Sequence, residues 1–79
     1  MNIHDDSYTK GMMLSDLDNH KVAMVTIKPN EATPTGAVYV TLKTGDEKSF
    51  YSTDVITLEQ TIREKYDLDV RVENVPQEN

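Results

Sequence analysis

The side chains best suited to chemistry in this 79-residue chain are carboxylates, and they fall in short clusters. His4, Asp5 and Asp6 place three potential metal ligands in a row, and His20 is the only other imidazole. A metal site needs ligands held by further hydrogen bonds, and ordering a polar arm around an ion costs conformational entropy. A solvated tail is therefore the expectation for those residues, with no metal or other cofactor anywhere in the chain. Paired carboxylates also occur at Asp16/Asp18, Asp46/Glu47 and Asp67/Asp69. General acid–base work requires one member of a pair to have a raised pKa, hence burial in a pocket. Each of these pairs lies in or beside a turn signal, where water keeps both groups ionised. No nucleophile–base–orienter set stands out among the serines and histidines, and three scattered glycines make no phosphate loop. With no cysteine there is no thiolate nucleophile. No catalytic residue is assigned, and a non-enzyme is expected.

Carboxylates can instead recognise. Asp67, Asp69 and Glu73 alternate with Leu68, Val70 and Val72, so a strand there would carry the acids outward at roughly 6.6 Å per two residues. Asp54, Glu59 and Glu64 add to this row if a preceding helix lies nearby. The spacing is of the order of phosphate spacing along a nucleic acid strand, so the row suits capture of a basic surface. Arg71 within the row, and Arg63 and Lys65 beside it, dilute the charge. Outward charges on a half-buried strand also have a plainer explanation in solvation alone.

Two other groupings have a weaker claim. Tyr39, Phe50 and Tyr51 lie among Lys21, Lys28, Lys43 and Lys48, which is the composition of a single-stranded nucleic acid platform. No ribonucleoprotein-type motif accompanies them, and the total charge opposes nucleic acid. Met12, Met13 and Leu14 form an apolar spot in a polar stretch. Methionines suit an adaptable contact surface, here a self-association surface, or else cover for a bare sheet face.

The elements that would position these residues must fit one small domain. A chain of this size buries only a little over about 60% of its unfolded surface, and 37% apolar residues make a thin core. Without disulfides, stability must come from packing, tight turns or a partner subunit. The net charge of −6 is unevenly spread: −3 over residues 1–19, +1 over 20–53 and −4 over 54–79. Such a field repels nucleic acid and anionic membranes and favours basic partners. No apolar run is long enough to cross a bilayer, and the N-terminal residues lack the features of a secretory signal, so a cytoplasmic location is expected.

Residues 1–11 are polar and aperiodic, which predicts a flexible arm, and residues 12–18 fit either a helical turn or a short strand. Asp18-Asn19 signals a turn. Lys21–Lys28 is β-branched and almost continuously apolar, which predicts a central strand covered on both faces. Pro29 ends it, and a loop leads to a second strand over Ala37–Thr44. Thr44-Gly45-Asp46-Glu47 suits a two-residue type II′ hairpin turn, placing Thr41 opposite Phe50 and Tyr51 on the face of Val38 and Val40. A three-residue turn would exchange Phe50 with Tyr51. The third strand is Lys48–Thr53. Thr57-Leu58-Glu59-Gln60 fits a capping box at the start of a helix, with Leu58, Ile62 and Tyr66 on one face and Glu59 paired four residues on with Arg63. Leu68–Val75 alternates as a fourth strand, ended by Pro76, with a frayed tail at 77–79.

The order β-β-β-α-β predicts an α+β fold for residues 12–76: a four-stranded mixed sheet in order 3-2-1-4, one helix on one face. The function expected is a non-enzymatic, acidic protein-binding module. Its most concrete form is an inhibitor that occupies the basic surface of a nucleic-acid-binding protein, and a small, acidic, cysteine-free domain would suit an accessory protein of a phage or mobile element. The alternative is a self-associating subunit, a homodimer formed through a sheet face or edge. Neither direct nucleic acid binding nor membrane binding is expected.

Overall fold

The computed structural model describes residues 8–30 and 34–73. Its sheet has the expected order β3-β2-β1-β4, built from β1 (Val22–Pro29), β2 (Gly36–Leu42), β3 (Glu47–Ser52) and β4 (Val70–Val72). The first three strands form an antiparallel meander, and β4 runs parallel to β1. The helix α2 (Val55–Tyr66) makes the crossover between β3 and β4. A parallel return needs such a connection, because no tight turn can make it.

Of the flexible arm expected over residues 1–11, residues 9–11 open a helix instead. Thr9 is extended, and its hydroxyl accepts the Met12 N–H at 3.3 Å. This cap starts a further helix, α1 (Lys10–Asp18). Threonine is a good N-cap, but Gly11 in the first turn lowers helix propensity and hides the signal. Met13 and Leu17, one turn apart, are buried together with Tyr8. Residues 1–7 lie outside the described residues.

Those contacts overturn the expectation that Met12, Met13 and Leu14 cover the face left bare by the main helix. Met13 sits at 0% exposure in the same cluster as Val25, Ile27, Val38 and Val40 of the sheet and Leu58 and Ile62 of α2. Leu14 packs partly against that cluster, while Met12 points to solvent at 45% exposure. Both helices therefore share one face of the sheet. One layer of helices and one of strands enclose a single core.

The central strand is covered on one face only, not two. A register irregularity between Val22 and Met24 lets Val22 and Val25, three residues apart, both turn toward the helices. Met24 is left on the other side. An extra residue of this kind breaks the strict alternation that sequence reading relies on.

The hairpin departs from the type II′ expectation. The Gly45 N–H donates to Leu42 O at 2.9 Å and the Leu42 N–H to Asp46 O at 2.8 Å. Gly45 has φ 99. This is a three-residue loop, Lys43-Thr44-Gly45, closed by a left-handed glycine. It pairs Val38 with Phe50 and Ala37 with Tyr51. Phe50 therefore turns inward against Tyr8, their ring centroids 6.2 Å apart, and Tyr51 turns outward.

Helix α2 begins three residues before the capping box predicts. Asp54 is the cap, its Oδ1 accepting the Thr57 N–H at 3.0 Å. Aspartate ranks with the best N-caps, and the additional turn buries Val55. The Val55 N–H also donates to Pro34 O at 2.8 Å, fastening the helix start to the loop before β2. Strand β4 is shorter than Leu68–Val75, and Val72, expected inward, is 38% exposed at its end. Val75, Pro76 and the tail at 77–79 lie outside the described residues.

Candidate functional site

With both helices on one side, the other face of the sheet has no helix over it among the described residues. Alternation from the inward Val25, Ile27, Val38 and Val40 turns Met24, Thr26 and Lys28 of β1, with Tyr39 and Thr41 of β2, toward this face. Met24 is 42%, Tyr39 42% and Tyr51 61% exposed. The register sets Met24 opposite Thr41, Thr26 opposite Tyr39 and Ala37 opposite Tyr51. Two tyrosines and a methionine thus share one surface.

Charge gathers at its β4 side. Arg71 lies opposite Thr26 in the parallel pairing. Its Nε is 3.1 Å from Glu73, whose other oxygen lies 3.9 Å from Lys28 Nζ. The Lys28 ammonium in turn sits 5.0 Å from the centre of the Tyr39 ring, within cation–π range. The Asn30 side chain donates to the Tyr51 hydroxyl, tethering that ring to the loop after β1. The surface therefore has an aromatic centre with a partly neutralised ionic border.

The six carboxylates expected to act together are divided between two regions. Asp54 is the cap of α2, and the N–H groups it accepts hold its carboxyl below the usual range, the Thr57 N–H foremost. Glu59 pairs with Arg63 at 3.0 Å, the helical pair expected from their spacing. Glu64 is exposed on the same helix, and Asp67 ends it in the left-handed conformation at φ 54. Asp69 is exposed next to β4, and Glu73 joins the Lys28 and Arg71 cluster. Glu64, Asp67 and Asp69 have no ion pair among the described residues.

The aromatic platform is likewise only partly assembled. Phe50 has gone to the core side, leaving Tyr39 and Tyr51. Of the four lysines, Lys28 is on the open face, whereas Lys48 lies opposite the inward Val40. Lys43 is in the hairpin loop, and Lys21 precedes β1.

Two tyrosine–carboxylate contacts brace the helix layer. The Tyr8 hydroxyl donates to Asp16 at 2.9 Å, and burial first, then this bond, raises its pKa well above the ordinary phenol range. The Tyr66 hydroxyl donates to Asp18 at 2.7 Å, which raises its pKa too and joins the end of α2 to the end of α1. Among the described residues no three His, Cys, Asp or Glu side chains are placed to hold a metal. His4, Asp5 and Asp6 lie outside those residues. No helix among the described residues is long and apolar enough to cross a membrane.

Sequence reasoning missed Met24 as a surface residue, because the apolar run around it points to cover on both sides. The bulge leaves no signature in composition. Tyr51 was legible only as one of two hairpin alternatives. No family model, curated protein or solved structure matches this chain.

Proposed function

We propose that this chain is a non-enzymatic protein-binding module whose contact surface is the open face of its sheet. The observation that carries the reading is the exposure of Met24, Tyr39 and Tyr51 together on a face that neither helix covers. Exposed apolar side chains scattered singly need no explanation, but a contiguous group rimmed by polar residues marks a contact site. Tyrosine and methionine are also enriched at the centres of protein interfaces.

The partner is basic. The net charge of −6 steers a cationic surface toward the chain. Glu64, Asp67 and Asp69 keep unpaired charge to offer it. Occupation of the basic surface of a nucleic-acid-binding protein is the most concrete form of this reading. A second reading uses the same face: two copies meeting through Met24, Tyr39 and Tyr51 would bury it in a homodimer. The aromatic centre favours that reading, because it does not depend on the acidic field.

Interaction capture from the source cell separates them when three forms of the chain are compared. These are the wild type, the double substitution Met24→Ser/Tyr39→Ser, and the triple substitution Asp67→Asn/Asp69→Asn/Glu73→Gln. A basic partner retained by the wild type and lost from both variants is the expected result. Its retention should also fall as salt approaches about 0.5 M, where screening acts within a few ångströms. A partner that tolerates Met24→Ser/Tyr39→Ser overturns the sheet face as the contact. A solution mass of twice 9.0 kDa that returns to the monomer in that double variant establishes the homodimer instead.

A further inference from the structure

A groove of about 500 Å³ lies where the C-terminal ends of α1 and α2 approach the β2–β3 hairpin. We propose that it binds a small amphipathic organic anion, with Lys43 and Lys65 holding the charged head beside His20, and the accessible Ala23, Tyr66 and Leu68 receiving the apolar tail. This site is independent of the open sheet face. It is formed by residues of the helix layer, the hairpin loop and the start of β1.

Three observations converge on it. His20, Lys43 and Lys65 come from three different elements, yet they line one groove. In a chain of net charge −6, Lys43 and Lys65 give this groove a local excess of positive charge. None of the three makes an ion pair among the described residues. The nearby Asp18 carboxylate already accepts the Tyr66 hydroxyl at 2.7 Å. Lys65 lies 5.4 Å from the centre of the Tyr66 ring, which also borders the groove.

The second observation is backbone strain. His20 has φ 59. Its N–H donates to Leu17 O at 3.1 Å, and the Lys21 N–H donates to Asp16 O at 2.9 Å. This double closure of a helix end normally uses glycine at the left-handed position. A histidine there carries a steric cost that glycine does not. Strain of this kind is retained where the side chain has a use. The third observation is the irregularity between Val22 and Met24, which brings Ala23 to the groove lining. Bulges are frequent beside binding sites, where they re-aim side chains.

A simpler account of the cations is that they complement the negative ends of two helix dipoles. It covers Lys65, in the last turn of α2. It does not cover Lys43, which lies in the hairpin and belongs to neither helix. An anion with an apolar tail engages both lysines and the accessible apolar lining at once, and mostly apolar lining with a few convergent polar groups is the usual make-up of a small-molecule site.

The test is a titration of the ¹⁵N-labelled full chain, followed by amide shifts, with hexanoate, hexanol and inorganic phosphate as separate probes. Hexanoate should saturate with a dissociation constant on the order of 1 mM, as befits a fragment of its size. The perturbed amides should cluster at residues 17–23, 43 and 65–68. Hexanol and phosphate, each with half of the recognition, should bind at least about tenfold more weakly. Lys43→Gln/Lys65→Gln should weaken hexanoate by about tenfold or more while leaving the spectrum folded, since both side chains project from the surface. His20→Gly should keep the helix end and weaken binding less. Failure of hexanoate to saturate, perturbation centred elsewhere, or unchanged binding in Lys43→Gln/Lys65→Gln overturns the proposal. Phosphate binding as tightly as hexanoate overturns the amphipathic assignment.

Discussion

The two faces of this sheet are built from the same strands and even from adjacent residues, yet they do opposite things. On the helix side Val25, Val38 and Val40 are 0% exposed and Ile27 1%. On the other side Met24 and Tyr39 are each 42% exposed. Composition does not separate them, since both carry large apolar side chains. The difference is cover: Met13 and Leu17 of α1 join Leu58 and Ile62 of α2 over one face, and neither helix reaches the other. A small domain has too little chain to cover both faces. An apolar residue on its open side is therefore a residue available for contact.

The sharpest way to test that contrast lies in α1, where neighbouring methionines take opposite environments. Met13→Ala should destabilise by about 2–5 kcal/mol, the cost of a cavity in a core that cannot fully collapse, because Met13 is completely buried. Met12→Ala, at a site 45% exposed, should stay within about 0.5 kcal/mol. Urea unfolding of the two variants checks the pair. Equal effects would mean that α1 is not docked on the sheet.

A smaller loss is expected from Gly36→Ala. A Cβ at Gly36 would lie 2.7 Å from both Lys28 O and Pro29 Cα. These are backbone atoms of the paired strand, so β1 and β2 must part locally, at about 1–3 kcal/mol. Thermal unfolding should show a lower midpoint. Tolerance of alanine would show that the two strands do not approach so closely at that end.

Next comes Tyr8→Phe, which keeps the ring against Phe50 and removes the hydroxyl bond to Asp16. The expected loss is about 1 kcal/mol. Its pH dependence has a definite sign. The folded phenol titrates above its ordinary value of 10.0. Its contribution is therefore present in full below that value and is lost as pH climbs beyond it. Wild type and Tyr8→Phe should converge in stability at strongly alkaline pH. Asp54 behaves oppositely: its carboxyl is held low in the folded state, so its contribution is present above the ordinary carboxylate value and fades as acid protonates it. Asp54→Ala should flatten the acid limb of the stability curve, as urea unfolding from pH 6 down to about 2 would show.

The smallest effect on stability is expected on the open face itself. Met24→Ser/Tyr39→Ser should change folding free energy by no more than about 0.5 kcal/mol per site, as surface substitutions do. It should nonetheless alter self-association or partner capture. Calorimetry together with light scattering reads both. A large loss of stability would mean that the open face is already covered in the folded chain.

Much of this architecture was legible in the residues. The order β-β-β-α-β and the arrangement 3-2-1-4 follow from β-branched runs, punctuation at Pro29 and Gly45, and the 3.6-residue period of Leu58, Ile62 and Tyr66. These are local signals, and each persists over several residues. The Glu59–Arg63 pair was equally local, and it formed. What the sequence left open was every feature that depends on a small offset or on a distant partner. The hairpin loop moved from Gly45-Asp46 to Lys43-Thr44-Gly45, which pairs Thr41 with Glu47 instead of Phe50 and sends Phe50 inward rather than Tyr51. The bulge beside Val22 turned on one extra residue and moved Met24 from core to surface. α1 was hidden because Gly11 and a narrow apolar stripe make a weak helix, and its stability comes from docking Met13 and Leu17. The division of the six carboxylates followed from the same cause. Local pattern set which residues alternate, while which side of the sheet received the helices was decided by long-range packing alone.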